Sequence, residues 1–285
     1  MTAANMIAFQ GEPGAYSDLA CRTVFPDMTT LPCRDFVETF AAVQEDRARL
    51  AMIPVENSVA GRVADIYHLL PESRLHIISE HFQRVEHHLL AVPGATLKDI
   101  KTVTSHVHAL GQCRDLIREL GVKAIVGADT AGSAAEVARK GDKSVAAIAS
   151  SLAGELYGLQ SLRANIEDAE HNTTRFLIMT KEPVNPDPST PVVTTFVFRV
   201  RNVPAALYKA MGGFATNGVN MTKLESYMLG GNFFATQFYS DIEGHPDHLS
   251  VRLALEELGF FSREVRILGV YPQHPLRQKK GAAAD

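Results

Sequence analysis

Short apolar runs alternate with amphipathic stretches through the first 180 residues, and a polar or glycine-bearing turn stands at most of the switches. Residues 6–9 read as a strand, 10–14 as a tight turn, and the next stretch as a helix carrying Tyr16, Leu19, Ala20 and Val24 on one face. A second helix is expected over 35–50. A strand over 51–55 then delivers Glu56-Asn57-Ser58, ahead of a helix at 62–70. Strands follow at 75–78 and 88–92. Ser105 is expected to cap a helix that runs to Leu120 and closes at Gly121. A strand at 122–126, a helix from Asp129-Thr130 to Gly141, a strand at 145–149 and a helix at 150–156 complete the series. Strands alternating with helices in this way predict an α/β fold with largely parallel sheets.

The segment from Lys181 to Pro191 holds four of the chain's fourteen prolines and reads as a stiff, extended linker. Beyond it lie a strand (192–200), a helix (204–215) with Leu207, Ala210, Met211 and Phe214 inward, and a strand (219–228). A hairpin turn at Gly230-Gly231, a strand (232–241), a helix (246–258) and a strand (265–271) follow. The order is βαββαβ, that of ferredoxin-like folds. Residues 273–285 are polar and alanine-rich, and are expected to be disordered.

A length of 285 residues suits about two domains, and an apolar fraction of 46% supplies real cores. A net charge of −4 gives no footprint for nucleic acid. No run approaches the roughly 18 apolar residues of a membrane span. Residues 1–6 lack the basic and apolar regions of a signal peptide. Cys21, Cys33 and Cys113 are odd in number and form no CxxC, which predicts reduced thiols in the cytoplasm. His87-His88 and His106-Val107-His108 lack acidic or cysteine partners at metal-ligand spacing, so no metal is expected.

The stretch His171-Asn172-Thr173-Thr174-Arg175-Phe176 stands directly before the apolar run Leu177-Ile178-Met179. Alone, it reads as two β-branched threonines starting a strand beside a surface arginine. In a site, Asn172 and the threonine hydroxyls would donate to an oxygen-rich ligand, and Arg175 would grip a carboxylate. The turns at 11–14, 56–58, 105–106 and 129–130 each read as a strand end leading to a helix start. Helix starts favour anions, and ligands of α/β sheets bind beyond the carboxyl ends of the strands.

These segments resemble prephenate dehydratase. The matching pieces are Gly11-Glu12-Pro13-Gly14-Ala15-Tyr16-Ser17, Val55-Glu56-Asn57-Ser58-Val59-Ala60-Gly61, Ser105-His106, Ala109-Leu110, Gln112-Cys113, Asp129-Thr130-Ala131-Gly132 and Asn172-Thr173-Thr174-Arg175-Phe176. The C-terminal unit is similar to the family's ACT regulatory domain. The resemblance implies a catalytic domain over 1–181 with two lobes, like type II periplasmic binding proteins. A linker (182–191) and an ACT domain (192–272) follow, with a tail at 273–285.

It further implies conversion of prephenate to phenylpyruvate without a cofactor, with feedback by phenylalanine in a homodimer or homotetramer. Thr174, Glu56 and Arg175 are the implied catalytic residues. Glu12, Tyr16, Ser17, Asn57, Ser58, Ser105, His106, Thr130, Asn172 and Phe176 are implied to bind substrate. Pro204, Ala206, Leu207, Asn220, Thr222, Glu225 and Ser226 are implied to bind the effector. The chain departs from the family at Val107-His108, where Pro-Gln is common, at Ala205, where glycine is usual, and at Tyr227-Met228, where Arg-Pro is usual. Two other readings stay open: arogenate dehydratase, and a non-catalytic amino-acid sensor or solute-binding protein on the same fold.

Overall fold

The apolar run near the N-terminus forms strand β1 (Met6–Gln10), whose three central residues are buried. The computed structural model describes residues 3–228 and 235–277. Helix α1 (Tyr16–Val24) leads to β2 (Thr29–Cys33), and α2 (Phe36–Gln44) leads to β3 (Leu50–Asn57). Both strands pair with β1 in parallel. The buried face of α1 is Ser17, Asp18, Ala20 and Cys21, not the face of Tyr16, Leu19 and Val24. The Asp18 carboxylate causes the rotation: it turns inward to accept from Gly14 N at 2.9 Å and pairs with Arg22 Nε at 2.9 Å.

Sequence reading extends α2 too far and passes over β2, an edge strand that tolerates Pro32. It also starts the next helix about four residues early, at Arg62, where the chain is still in a hairpin. Strand β4 (Gly61–Arg62) folds back on β3, with Glu56 opposite Arg62 and Asn57 opposite Gly61. Asn57 Oδ1 takes the Val59 and Ala60 N–H groups, and Gly61 adopts φ +84°, so a turn forms before any helix starts. Helix α3 (Ile66–Glu72) then leads into β5 (His76–Arg84).

Strand β6 (His88–Ala91) opens a second sheet, and β7 (Thr102–Ser105) joins it. The single helix expected after Ser105 is two, α4 (Val107–Gly111) and α5 (Arg114–Leu120). The Asp168 carboxylate accepts from Arg114 N and Asp115 N at 2.9 and 3.2 Å and gives α5 its own start. Strand β8 (Lys123–Val126), helix α6 (Thr130–Lys140), strand β9 (Val145–Ala149) and helix α7 (Ser151–Tyr157) come next. Asp129 caps α6 and Ser150 caps α7, as the residue types predict. Strand β10 (Gln160–Arg163), not foreseen, borders this sheet, and β11 (Thr173–Thr180) returns to the first.

The first sheet runs β2-β1-β3-β11-β5 with β4 on β3, and the second runs β10-β6-β9-β7-β8. β7 is parallel to β8 and β9, whereas β6 is antiparallel to β9 and β10, so the sheets are mixed rather than largely parallel. The turn at Gly14 meets α7 closely. Ser150 Oγ donates to Gly14 O at 2.6 Å, and a Cβ on Gly14 would stand 2.8 Å from Ala153 Cα. With φ +89°, only glycine fits there.

The C-terminal elements are β12 (Val192–Val200), α8 (Ala206–Thr216), β13 (Met221–Met228), β14 (Ala235–Glu243), α9 (Leu249–Phe261) and β15 (Ser262–Pro272). The order βαββαβ is as expected, in an antiparallel sheet β13-β14-β12-β15. α8 and α9 cover one face, burying Phe196, Phe198, Phe214 and Phe238. The hairpin turn expected at Gly230-Gly231 lies outside the described residues.

By compactness the chain divides in two. One unit holds the chain to Val63 and His81–Phe176, and the other holds Ala64–Glu80 with the chain from Leu177 onward. The division therefore does not follow the proline linker: α3 belongs with the C-terminal sheet. Tyr67 packs edge-on against Tyr239 with ring centroids 5.2 Å apart, on the face that α8 and α9 leave open. Arg266 donates to Pro71 O. Arg277 grips the buried Glu80 carboxylate at 2.6 and 2.9 Å, and Gln273 N donates to Pro191 O at 2.9 Å. The disorder expected from residue 273 therefore does not begin there, and residues 278–285 lie outside those described. No helix is long and apolar enough to cross a membrane among the described residues.

Candidate active site

Strands β3 and β11 are neighbours in the first sheet, and their polar ends meet. β11 begins at Thr173, so Thr173, Thr174 and Arg175 are strand residues rather than a loop at its entrance. Backbone and hydroxyl bonds lock the two ends. Ser58 N donates to Thr173 O at 2.9 Å, Ser58 Oγ to His171 O at 2.7 Å, and Thr173 N to Ser58 Oγ at 3.0 Å. Asn57 Nδ2 donates to Asn172 Oδ1 at 2.8 Å and to Thr174 Oγ1 at 3.0 Å. Asn57, Ser58, Asn172, Thr173 and Thr174 thus form one cluster, and Glu56 and Arg175, which alternate to the other face of the same strands, form a pair behind it, although more than a hundred residues separate the two strand ends.

Two features give this cluster chemical character. Arg175 is only 3% exposed, and its Nη1 bonds Glu56 Oε1 at 3.1 Å. The carboxylate that Arg175 grips is therefore the protein's own. Asn172 is 1% exposed, and its Nδ2 has no hydrogen-bond partner among the described residues. A buried donor left unmade costs roughly 1–3 kcal/mol, so this nitrogen marks a place for an acceptor.

The other substrate candidates divide. Phe176 is 1% exposed and belongs to the core, which removes it from substrate contact. Ser105 is buried, is the last residue of β7 rather than a helix cap, and spends its hydroxyl on Ile148 O at 2.5 Å. His106 is the cap of α4, and burial followed by the nearby His108 holds its imidazole below the ordinary range. Thr130 is the first residue of α6, Ser17 is buried, and Glu12 lies exposed in the turn before α1.

Tyr16 serves a network that sequence reasoning missed. Its hydroxyl donates to Glu86 O at 2.8 Å and lies 2.9 Å from His87 Nδ1. His87 Nε2 faces Gln112 Oε1 at 2.9 Å, and His87 N donates to Glu167 Oε2 at 2.8 Å. Burial, reinforced by Cys113, Glu167 and Glu86, pushes the Tyr16 hydroxyl well above its ordinary range. The network ties α1 to the segment before β6 and to the end of α4. The chain signalled it only through Tyr16 and Gln112, which stand in two separate pieces of the family motif.

In the C-terminal unit, Ala205 caps α8 at φ +61°, the conformation glycine prefers, at the position where the resemblance implies glycine. Ala206 and Leu207 follow at the start of α8, after the exposed Pro204. Asn220 Nδ2 donates to Glu243 Oε2 at 2.8 Å, and Thr222 Oγ1 lies 3.4 Å from Arg277 Nη1. Glu225 receives Lys223 Nζ at 3.3 Å. Glu225 and Ser226 are successive residues of β13 and point to opposite faces, so they do not line one pocket on a single face. Tyr227, where the family has arginine, is buried. Its ring meets His68 at 5.2 Å, its hydroxyl accepts from Gln237 Nε2 at 2.7 Å, and burial pushes that hydroxyl up to about 12.

A family model described as prephenate dehydratase matches residues 7–184. A bifunctional N-acyl-homoserine lactone acylase/prephenate dehydratase of Komagataeibacter europaeus is 56% identical over 98% of this chain and 100% of its own length. The chloroplastic arogenate dehydratase/prephenate dehydratase 1 of Arabidopsis thaliana is 40% identical over 95% of this chain and 73% of its own. Among solved structures, prephenate dehydratase of Arthrobacter aurescens in complex with L-Phe superposes with a TM-score of 0.87 at 30% identity. That match covers 94% of this chain and 90% of the other.

The buried imidazole makes stability pH-dependent. Burial lowers the pKa of His87 from 6.5, and His81 shifts the same way. Below about 6.5 the unfolded chain therefore binds more protons than the folded one, and stability falls as pH drops. Urea denaturation at pH 7.5 and 5.5 is expected to show this loss. His87→Gln is expected to lower stability by roughly 1 kcal/mol at pH 7.5, for the lost hydrogen bonds, and to make the acid-side decline shallower.

Proposed function

Because the chain belongs to the prephenate dehydratase family, we propose that residues 1–181 are its catalytic domain, with two lobes, and turn prephenate into phenylpyruvate, carbon dioxide and water. The observation that carries the reading is that Asn57 Nδ2 bonds both the Thr174 hydroxyl and the amide oxygen of Asn172, whose own Nδ2 has no partner among the described residues. Prephenate is a dianion with a ring carboxylate and a ring hydroxyl. As the carboxylate leaves as carbon dioxide, its bonding pair enters the ring and expels the hydroxyl oxygen, and the ring becomes aromatic. Negative charge develops on that departing oxygen. A hydrogen bond from Thr174 acts where the charge grows, and donors so placed are worth roughly 10²–10³ in rate.

Glu56 is not assigned as the proton donor in this scheme. Its carboxylate is held by Arg175 Nη1 at 3.1 Å, so Glu56 and Arg175 act as a pair that holds β3 against β11. Arogenate carries an amine in place of the keto group and keeps the same leaving groups, so it is the companion substrate to assay. Purified protein is expected to form phenylpyruvate from prephenate. Thr174→Val is expected to lower kcat by roughly 10² with a smaller change in KM, and Thr173→Val to be milder. Equal losses at both threonines would mean that they only hold the strand.

The C-terminal unit is read as an ACT domain that binds L-phenylalanine and assembles the chain into a dimer or tetramer. Support comes from the Arthrobacter aurescens relative, whose structure is a complex with L-Phe. Tyr227 occupies the position of the usual arginine without facing solvent, so Pro204, Ala206, Leu207 and Asn220 are the residues on which recognition would rest. Calorimetry is expected to show phenylalanine binding, accompanied by a change in dehydratase rate. Absence of both would leave the unit as an assembly module.

A second reading rests on the 56% identity to the bifunctional Komagataeibacter europaeus protein. It is that the chain also hydrolyses the amide of an N-acyl-homoserine lactone. Release of the free fatty acid from such a lactone, measured beside prephenate turnover, is the expected result.

A further inference from the structure

The direction of each hydrogen bond in the strand-end cluster can be worked out from its chemistry. Asn57 Oδ1 accepts from Val59 N at 3.0 Å and from Ala60 N at 2.8 Å. Only an amide oxygen can accept from two backbone N–H groups, so the hairpin turn fixes which way the Asn57 amide points. Its nitrogen then faces β11 with two hydrogens, which go to Asn172 Oδ1 and Thr174 Oγ1. Asn57 has no donor or acceptor left for a ligand. Thr174 Oγ1 receives a hydrogen bond, and its own proton remains for donation. Asn172, with its oxygen engaged by Asn57, presents Nδ2, which is buried and has no partner among the described residues.

We propose that Asn57 is a positioning residue: it passes the polarity of the Val59–Ala60 turn to Thr174 and Asn172, so that both face the leaving oxygen of the substrate as donors. Asn57 therefore does not contact the substrate, the role the family resemblance implied for it. A site in which Asn57 sets the direction accepts a departing hydroxide and rejects a donor at the same place. The inference rests on the dehydratase reading.

The test is Asn57→Asp beside Asn57→Ala, with the wild type assayed in parallel on prephenate and arogenate. The Asn57→Asp change keeps the shape and one oxygen for the two N–H groups. The second carboxyl oxygen of that variant, when ionised, accepts where Asn57 donated. It draws the Thr174 proton onto itself and faces Asn172 Oδ1 with like polarity. Protonation returns one donor. Asn57→Asp is expected to lose roughly 10² in kcat at pH 8, with little change in KM, and to recover part of it as pH falls through the titration of the new carboxyl. Asn57→Ala is expected to lose kcat with no such recovery. A merely architectural role would not produce that pH profile.

A loss confined to KM would overturn the proposal, because Asn57 would then touch the substrate. Parallel profiles for the two variants and the wild type would overturn it as well. Wild-type protein inactive on both substrates would instead sink the dehydratase reading. The polarity chain would then be judged from thermal denaturation alone. A Tm loss for the Asn57→Ala, Thr174→Val double variant smaller than the sum of the single losses supports it, and an additive loss refutes it.

Discussion

The ion pair between the buried Arg175 guanidinium and the part-exposed Glu56 carboxylate is the contact on which the candidate site depends. It joins strand ends 119 residues apart in the chain. An ion pair in a poorly hydrated place holds geometry more than it adds stability, because desolvation offsets most of its attraction. Its contribution here is register. With β3 and β11 aligned, Ser58 exchanges hydrogen bonds with Thr173 and His171, and Asn57 comes level with Asn172 and Thr174. A slip of one residue would turn every side chain of the strand to the other face of the sheet and dismantle the cluster.

Much of this architecture could be read before any coordinates. Helix α6 starts at Asp129 and stops at Gly141 because a capping carboxylate and a left-handed glycine are local signals. The βαββαβ order was legible for the same reason, from periodicity and turn residues. What escaped was non-local. Strand β2 contains a proline and becomes a strand only by pairing with β1, and α5 starts anew because Asp168, more than fifty residues away, supplies the cap. Helix α3 starts about four residues later than expected because nothing in Asn57-Ser58-Val59-Ala60 shows that the Asn57 side chain will first tie off a hairpin turn.

The site shows the same division. The residue types Asn, Thr, Arg and Glu, in the family's order, pointed to these strand ends, and the structure joins Asn57 to Asn172 and Thr174 on one face and Glu56 to Arg175 on the other. Their roles did not follow from type. Arg175 looked like a ligand clamp and is paired internally, Tyr16 serves the His87 network, and Phe176 is core. Which atom donates and which accepts is a property of the assembled network, as is the orphan nitrogen of Asn172.

The backbone passes between the two compact units at Val63–Ala64, Glu80–His81 and Phe176–Leu177. Unit two is therefore not a cassette appended to a finished unit one. Removing everything after the proline linker would strip Tyr67 of Tyr239, leave Glu80 without Arg277, and expose one face of α3. A shortened chain of that kind would report on its own folding before it reported on feedback. Recombination among relatives that swaps only the C-terminal unit faces the same obstacle unless residues 64–80 travel with it. The inheritable module in this protein is discontinuous in the gene, and its boundary is drawn by packing rather than by a linker.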